Sequence, residues 1–94
     1  MKLIVVYDIS DNSNREAIAR KLKNLGLTRV QRSVFVGRGG KGVAMDVYRA
    51  VKKYVTGDGD SVIIFNVPNQ SVREALVLGC PMGDLRGLKQ VVVL

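Results

Sequence analysis

Two segments of the chain, residues 2–9 (KLIVVYDI) and 61–67 (SVIIFNV), are apolar on both of the faces that an alternating strand presents. A strand without a polar face must be covered on both sides, so each segment belongs inside a sheet whose two surfaces are both buried. In the first, Leu3, Val5, Tyr7 and Ile9 share one face; Ile4, Val6 and Asp8 share the other. Asp8 therefore closes a central strand on an apolar face, where a charged residue needs a partner or a ligand.

Between these strands the period changes. Ser13-Asn14-Arg15-Glu16 has the spacing of a capping box, and Ala17, Ile18, Leu22 and Leu25 recur at helical intervals before Gly26. A helix over 14–25 is predicted. Residues 27–37 (LTRVQRSVFVG) read as either one bent strand or a tight hairpin turning near Gln31–Ser33, the hairpin being preferred. After GRGGKG at 37–42, Ala44, Val47, Tyr48, Val51, Tyr54 and Val55 mark a second helix, with both tyrosines expected in the core. GDGD at 57–60 is a turn, and Pro68 ends the last strand.

The order β-α-β-β-α-β implies an α+β fold, the ferredoxin-like two-layer sandwich with both helices on one face of an antiparallel sheet. That leaves the second apolar face open. A second copy of the chain is the simplest cover, so a homodimer is expected. Beyond Pro68, REALVLG at 73–79 and QVVVL at 90–94 are short apolar segments separated by Gly79, Pro81, Gly83 and Gly87.

Composition narrows the chemistry. At 94 residues the chain holds one core, and with no His and a single Cys it offers neither an intrachain disulfide nor a zinc site of nitrogen and sulfur ligands. Ser-His-Asp and Cys-His catalysis are excluded as well. Catalysis must then use carboxylates, Tyr, Lys or an oxygen-ligated ion such as magnesium, manganese or calcium. No apolar run approaches the ~20 residues that span a bilayer, and MKLIVVYDIS is broken by Asp8, so it reads as a strand rather than a leader. With its lone thiol, Cys80, the protein is expected to be cytoplasmic, without a membrane partner.

Charge is concentrated. Residues 15–53 hold eleven Lys or Arg against two acids, net +9, whereas the segments on either side each come to −1. Basic residues interleaved with apolar ones at regular intervals describe a folded cationic surface, which favours phosphate and hence nucleic acid.

A two-fold axis at the end of the first strand would bring two copies of Asp8 together, and one or two carboxylates with water and phosphate oxygens suffice for magnesium. Asp11 is a weaker candidate, better explained by the loop or by helix entry. GRGGKG departs from the phosphate-loop spacing, since Val43 stands where a hydroxyl is required; it reads as a flexible basic loop. Phe35 is read as packing, because no RNA-recognition motif surrounds it, and Cys80 as an inert thiol.

VVYDISD at 5–11, the basic first helix, RVQRSVFVG at 29–37 and SVIIFNVP at 61–68 together resemble the CRISPR-associated protein 2 family, the small partner of the CRISPR integrase in spacer acquisition. The resemblance covers roughly residues 3–79. It implies a homodimer of ferredoxin-like subunits over residues 1–79, with 73–79 as an extra C-terminal strand laid on the partner subunit's sheet and 80–94 as a C-terminal extension. It also implies magnesium, with manganese possible, bound by Asp8 of both chains. Tyr7 and Asp8 match the family's catalytic strand end, and Arg15, Arg29 and Phe35 match its nucleic-acid-binding positions. Ala17 stands where some nuclease-active members carry a further arginine. Two activities follow from the resemblance: metal-dependent hydrolysis of single-stranded RNA or double-stranded DNA, or a non-catalytic dimer that bridges CRISPR integrase (CRISPR-associated protein 1) dimers around a prespacer duplex.

Overall fold

The computed structural model describes residues 1–85; QVVVL at 90–94 lies outside them. Four strands and three helices follow in the order β1 (Lys2–Asp8), α1 (Asn12–Asn24), β2 (Thr28–Gln31), β3 (Val34–Arg38), α2 (Lys41–Val51) continued by a 3-10 turn (Lys52–Tyr54), β4 (Ser61–Val67) and α3 (Asn69–Arg73). The strands form one antiparallel sheet in the order β2-β3-β1-β4. With β3 between β1 and β2, this is the split βαβ topology expected from the sequence.

The double-sided apolar character of β1 is explained by its central place. Leu3, Val5 and Tyr7 face the helices with Ile9 behind them, and the first two are wholly buried. Ile18 and Leu22 of α1, Val47 and Val51 of α2, and Phe35 of β3 close over them. Full burial of such side chains stabilises the fold by about 1.5–3 kcal/mol each. Residues 27–37 form the hairpin, with a register shift between Arg29 and Gln31.

Helix α1 begins earlier than its capping-box spacing suggests. Asp11 is the N-cap: its carboxylate accepts from the Asn14 backbone N–H at 2.8 Å and the Ser13 hydroxyl at 3.0 Å. An Asp two residues upstream outcompetes the serine because it is ionised and presents its oxygen to the first turn. At the other end, Leu27 N–H bonds Leu22 O and Gly26 N–H bonds Lys23 O, both at 3.0 Å. This Schellman closure requires the φ of +89° that Gly26 adopts.

One further expectation is corrected. Tyr48 is half exposed rather than in the core, because it lies about 100° around α2 from the inward-facing Val47. Only Tyr54 packs, partly buried, against the core. The strand over 73–79 is expected on a partner subunit's sheet; within the chain Arg73 closes α3, Glu74 caps it, and residues 75–78 join no ladder.

The face of the sheet away from the helices carries the Ile4–Phe65 and Val6–Ile63 pairs, with Val34 and Val36 beside them. Ile63 and Phe65 remain about half exposed. The chain beyond α3 returns across the β2–β3 side, where Met82 N–H donates to Val30 O at 2.8 Å, and encloses a hollow of about 510 Å3. Among the described residues no helix is long and apolar enough to cross a membrane.

Candidate active site at the end of the central strand

Adjacent residues of a strand point to opposite faces, and this separates the two residues expected to act together. Asp8 lies on the open face, exposed, one rung beyond the Val6–Ile63 pair and directly across from Ser61. Its carboxylate makes no hydrogen bond or ion pair among the described residues. Tyr7 points the other way, into the core at 3% exposure, so it touches no substrate in this conformation.

Around Tyr7 a cationic cluster assembles. Its hydroxyl donates to Arg32 O at 3.4 Å, and the same carbonyl accepts from Arg29 Nε at 2.9 Å. Burial pushes the Tyr7 phenol above its ordinary value of 10.0, outweighing the neighbouring Arg29 and Arg15 guanidiniums, which favour the phenolate. At neutral pH Tyr7 is therefore a hydrogen-bond donor and not a base.

Phe35 is fully buried, its ring stacked at 6.2 Å from that of Tyr7 and covered by the Arg29 guanidinium at 5.5 Å. As an expected nucleic-acid contact it is corrected: a ring with no exposed surface stacks no base, and it acts instead by holding Arg29 at the strand end. Arg29 itself is only half-buried. Arg15, also half-buried, donates to Ile9 O at 3.1 Å and to Asn12 Oδ1, fastening the β1–α1 loop behind Asp8.

Asp60 completes this loop, and sequence reasoning read it only as part of a turn. It accepts from the Ser10 N–H at 2.8 Å, the Ser10 hydroxyl at 2.9 Å and the Gly57 N–H at 3.0 Å. The Ser10 and Gly57 backbone donors hold its carboxyl below the ordinary 3.8. Backbone donation from Asn14 does the same for Asp11. Both carboxylates are thus engaged in shaping the loop, whereas Asp8, on the ladder itself, is presented outward. The acidic GDGD run beside a strand start was the one available signal for Asp60.

One exposed carboxylate, two arginines on the opposite side of the same strand end and no imidazole suit phosphodiester chemistry better than acyl transfer. The model of the family described as CRISPR associated protein Cas2 matches residues 1–75, which include every residue of this cluster. The chain belongs to the Cas2 family. It is 38% identical over 91 residues to the CRISPR-associated endoribonuclease Cas2 of Aeropyrum pernix, covering 97% of this chain and 96% of that one. It is 42% identical to the Thermofilum pendens protein of the same name, over 82% of each chain. In Thermoproteus tenax a CRISPR-associated endonuclease Cas1/endonuclease Cas2 fusion matches 81% of this chain at 34% identity, over 29% of its own length. Among solved structures, a hypothetical protein from Thermus thermophilus superposes with a TM-score of 0.72 at 30% identity, covering 85% of this chain and 92% of that one. A structure described as cas2 covers 98% of both chains with a TM-score of 0.69 at 26% identity. The Cas2 fold thus accounts for the sheet order.

Whether the donor set suits a divalent ion depends on how many chains contribute. Among the described residues no three His, Cys, Asp or Glu side chains gather into a metal site. Asp8 offers an exposed oxygen donor without a partner among the described residues, on an apolar face; if two copies met on that face they would supply the one or two carboxylates that magnesium or manganese accepts alongside water and phosphate.

Proposed function

We propose that this Cas2-family chain is a CRISPR spacer-acquisition protein that acts as a homodimer and hydrolyses phosphodiester bonds of single-stranded RNA or double-stranded DNA. The observation that supports it best is Asp8, a carboxylate without a partner among the described residues, at the edge of a half-exposed apolar sheet face. Two such faces packed together bury Ile63 and Phe65 and bring the Asp8 copies to one interface. A magnesium or manganese ion held there would supply the Lewis acidity that makes water a competent nucleophile near neutral pH.

The chain's own residues do the rest. Asp8 from each copy binds and orients; Arg29, fixed by Arg32 O and the Phe35 ring, and Arg15, fixed by Ile9 O, direct positive charge to the strand end where a phosphate must sit. Tyr7 keeps its proton and anchors the β2–β3 turn through Arg32 O.

A second reading has its own support. The net +9 of residues 15–53 and the existence of a Cas1/Cas2 fusion relative fit a dimeric scaffold that binds prespacer duplex DNA and docks the CRISPR-associated protein 1 integrase. The two readings part at Asp8→Ala. Magnesium- or manganese-dependent cleavage of RNA or duplex DNA by the wild type, absent in a folded Asp8→Ala dimer, is the expected result. No cleavage by either protein, or equal cleavage by both, with DNA binding and integrase assembly intact, supports the scaffold.

A further inference from the structure

At the far end of β1 from Asp8, about 20 Å away for a seven-residue strand, three cations converge on one hollow. Lys2 begins β1 and stands directly across from Arg38, the last residue of β3. Like charges on facing residues of neighbouring strands destabilise a sheet. Arg73 of α3 approaches from a third element, and together they line a hollow of about 630 Å3 that contains no carboxylate. Neither Lys2 nor Arg38 has an ion-pair partner among the described residues, and Arg73 donates two hydrogen bonds to the neutral Gln70 Oε1, at 2.9 and 3.3 Å. Two acids border the hollow: Asp84 lines the adjoining hollow on the other side of Lys2 and Arg38, and Glu74, next to Arg73, accepts from Gln70 Nε2 at 2.7 Å.

The floor of the hollow is Gly39 and Gly40, the centre of the GRGGKG segment. This loop is held in place rather than free. Gly39 N–H donates to Met1 O and Gly39 O accepts from Asn66 Nδ2, both at 3.2 Å. Gly39 also has a φ of +132°, and a Cβ there would lie 2.5 Å from the Val43 side chain, so only glycine fits. At Gly40 a Cβ would meet nothing within 4 Å, so the backbone lies open to an approaching group.

We propose that Lys2, Arg38 and Arg73 form a phosphate-binding pocket at the end of the sheet opposite Asp8, and that its ligand is a phosphate of a nucleic-acid backbone. A bound dianion or diester relieves the repulsion that the bare pocket carries, and the guanidiniums offer donors matched to phosphate oxygens. The pocket stands on its own geometry; only the assignment of its phosphate to nucleic acid rests on the proposed function. A backbone gripped here and at the Asp8 end is held at two points across the length of the sheet.

The test uses the full chain, with Arg38→Gln alone and the Lys2→Gln/Arg38→Gln/Arg73→Gln triple variant beside wild type and Asp8→Ala. Calorimetric titration with inorganic phosphate and pyrophosphate is expected to show binding to wild type and Asp8→Ala, weakened in Arg38→Gln and lost in the triple variant. For duplex DNA, the slope of log affinity against log salt should become shallower by about 1 for each phosphate contact removed. Without phosphate, the triple variant should melt no lower than wild type at low salt, which shows that it folds. Equal binding of both anions by wild type and triple variant overturns the pocket. Anion binding lost without a change in the DNA slope overturns the assignment to a nucleic-acid backbone. Loss of cleavage in Asp8→Ala with anion binding retained leaves this proposal standing, and absence of cleavage in every protein counts against the nuclease alone.

Discussion

Asp8 stands directly across from Ser61 on the last rung of the β1–β4 ladder, exposed, with nothing among the described residues to receive its charge. Its removal should therefore cost the fold almost nothing. Asp8→Ala is expected to melt within about 0.5 kcal/mol of wild type, as surface substitutions generally do, while metal-dependent cleavage disappears. Thermal denaturation and a cleavage assay on one preparation check both halves. A large loss of stability would reassign Asp8 to a structural role.

Arg29 is held twice, by Arg32 O and by the face of Phe35. Arg29→Ala forfeits a cation–π contact and a hydrogen bond, about 1–2 kcal/mol together. Arg29→Lys keeps the charge but not the planar fork, so it should recover part of the DNA affinity and little of the stability. Chemical denaturation and DNA titration of the pair separate the two contributions. Equal stability of all three proteins would mean that the stacking holds nothing.

Phe35 gives the opposite pattern. With its ring wholly buried, Phe35→Ala should cost about 3–5 kcal/mol, a large part of a small domain's stability. Phe35→Leu keeps most of the volume and should bind RNA or DNA as wild type does once folded. Weaker binding by a fully folded Phe35→Leu would show that the ring reaches nucleic acid after all.

These residues also show what a single sequence makes legible. Leu3, Val5 and Tyr7 alternate with Ile4, Val6 and Asp8, and that period alone places β1 at the centre and Asp8 on the open face. The face assignment equally separates Tyr7 from Asp8, although motif proximity groups them. Ser13 and Glu16 match a capping box, yet Asp11 takes the role because spacing carries no information on which side chain is ionised and nearest. The GDGD run marks Asp60 as a turn residue, but its role was not legible because its chief partner, Ser10, is fifty positions away. REALVLG is apolar enough for a strand, but a strand needs a neighbour, and within one chain Leu76 and Leu78 stay exposed.

The carboxyls of Asp11 and Asp60 sit below their ordinary 3.8 in the folded chain, so the stabilisation they supply is present above that value and is lost as pH falls through the folded value. Tyr7 is the reverse case: its raised phenol contributes stability that is full below pH 10.0 and is lost as pH rises further. Denaturation midpoints across pH should show a shallower acid limb in Asp60→Asn and a shallower alkaline limb in Tyr7→Phe. Limbs parallel to wild type would show that neither group's ionisation is linked to folding.

The open face supplies the last prediction. Phe65 is paired with Ile4, and Ile63 with Val6, yet Phe65 and Ile63 remain 47% and 50% exposed, while Leu76 is 100% and Leu78 81% exposed. A contiguous apolar surface of this kind marks an interface. In Phe65→Glu a charge would have to be buried between two sheets, so association should weaken by orders of magnitude, whereas the core on the helix side is untouched and the circular dichroism should match wild type. Sedimentation is expected to give a dimer for wild type and Asp8→Ala and a monomer for Phe65→Glu. The monomer retains Asp8 but not its counterpart, so it should lose metal-dependent cleavage with the carboxylate still in place. A Phe65→Glu protein that stays dimeric would put the interface elsewhere, and a cleaving monomer would remove the reason for pairing the two Asp8 residues.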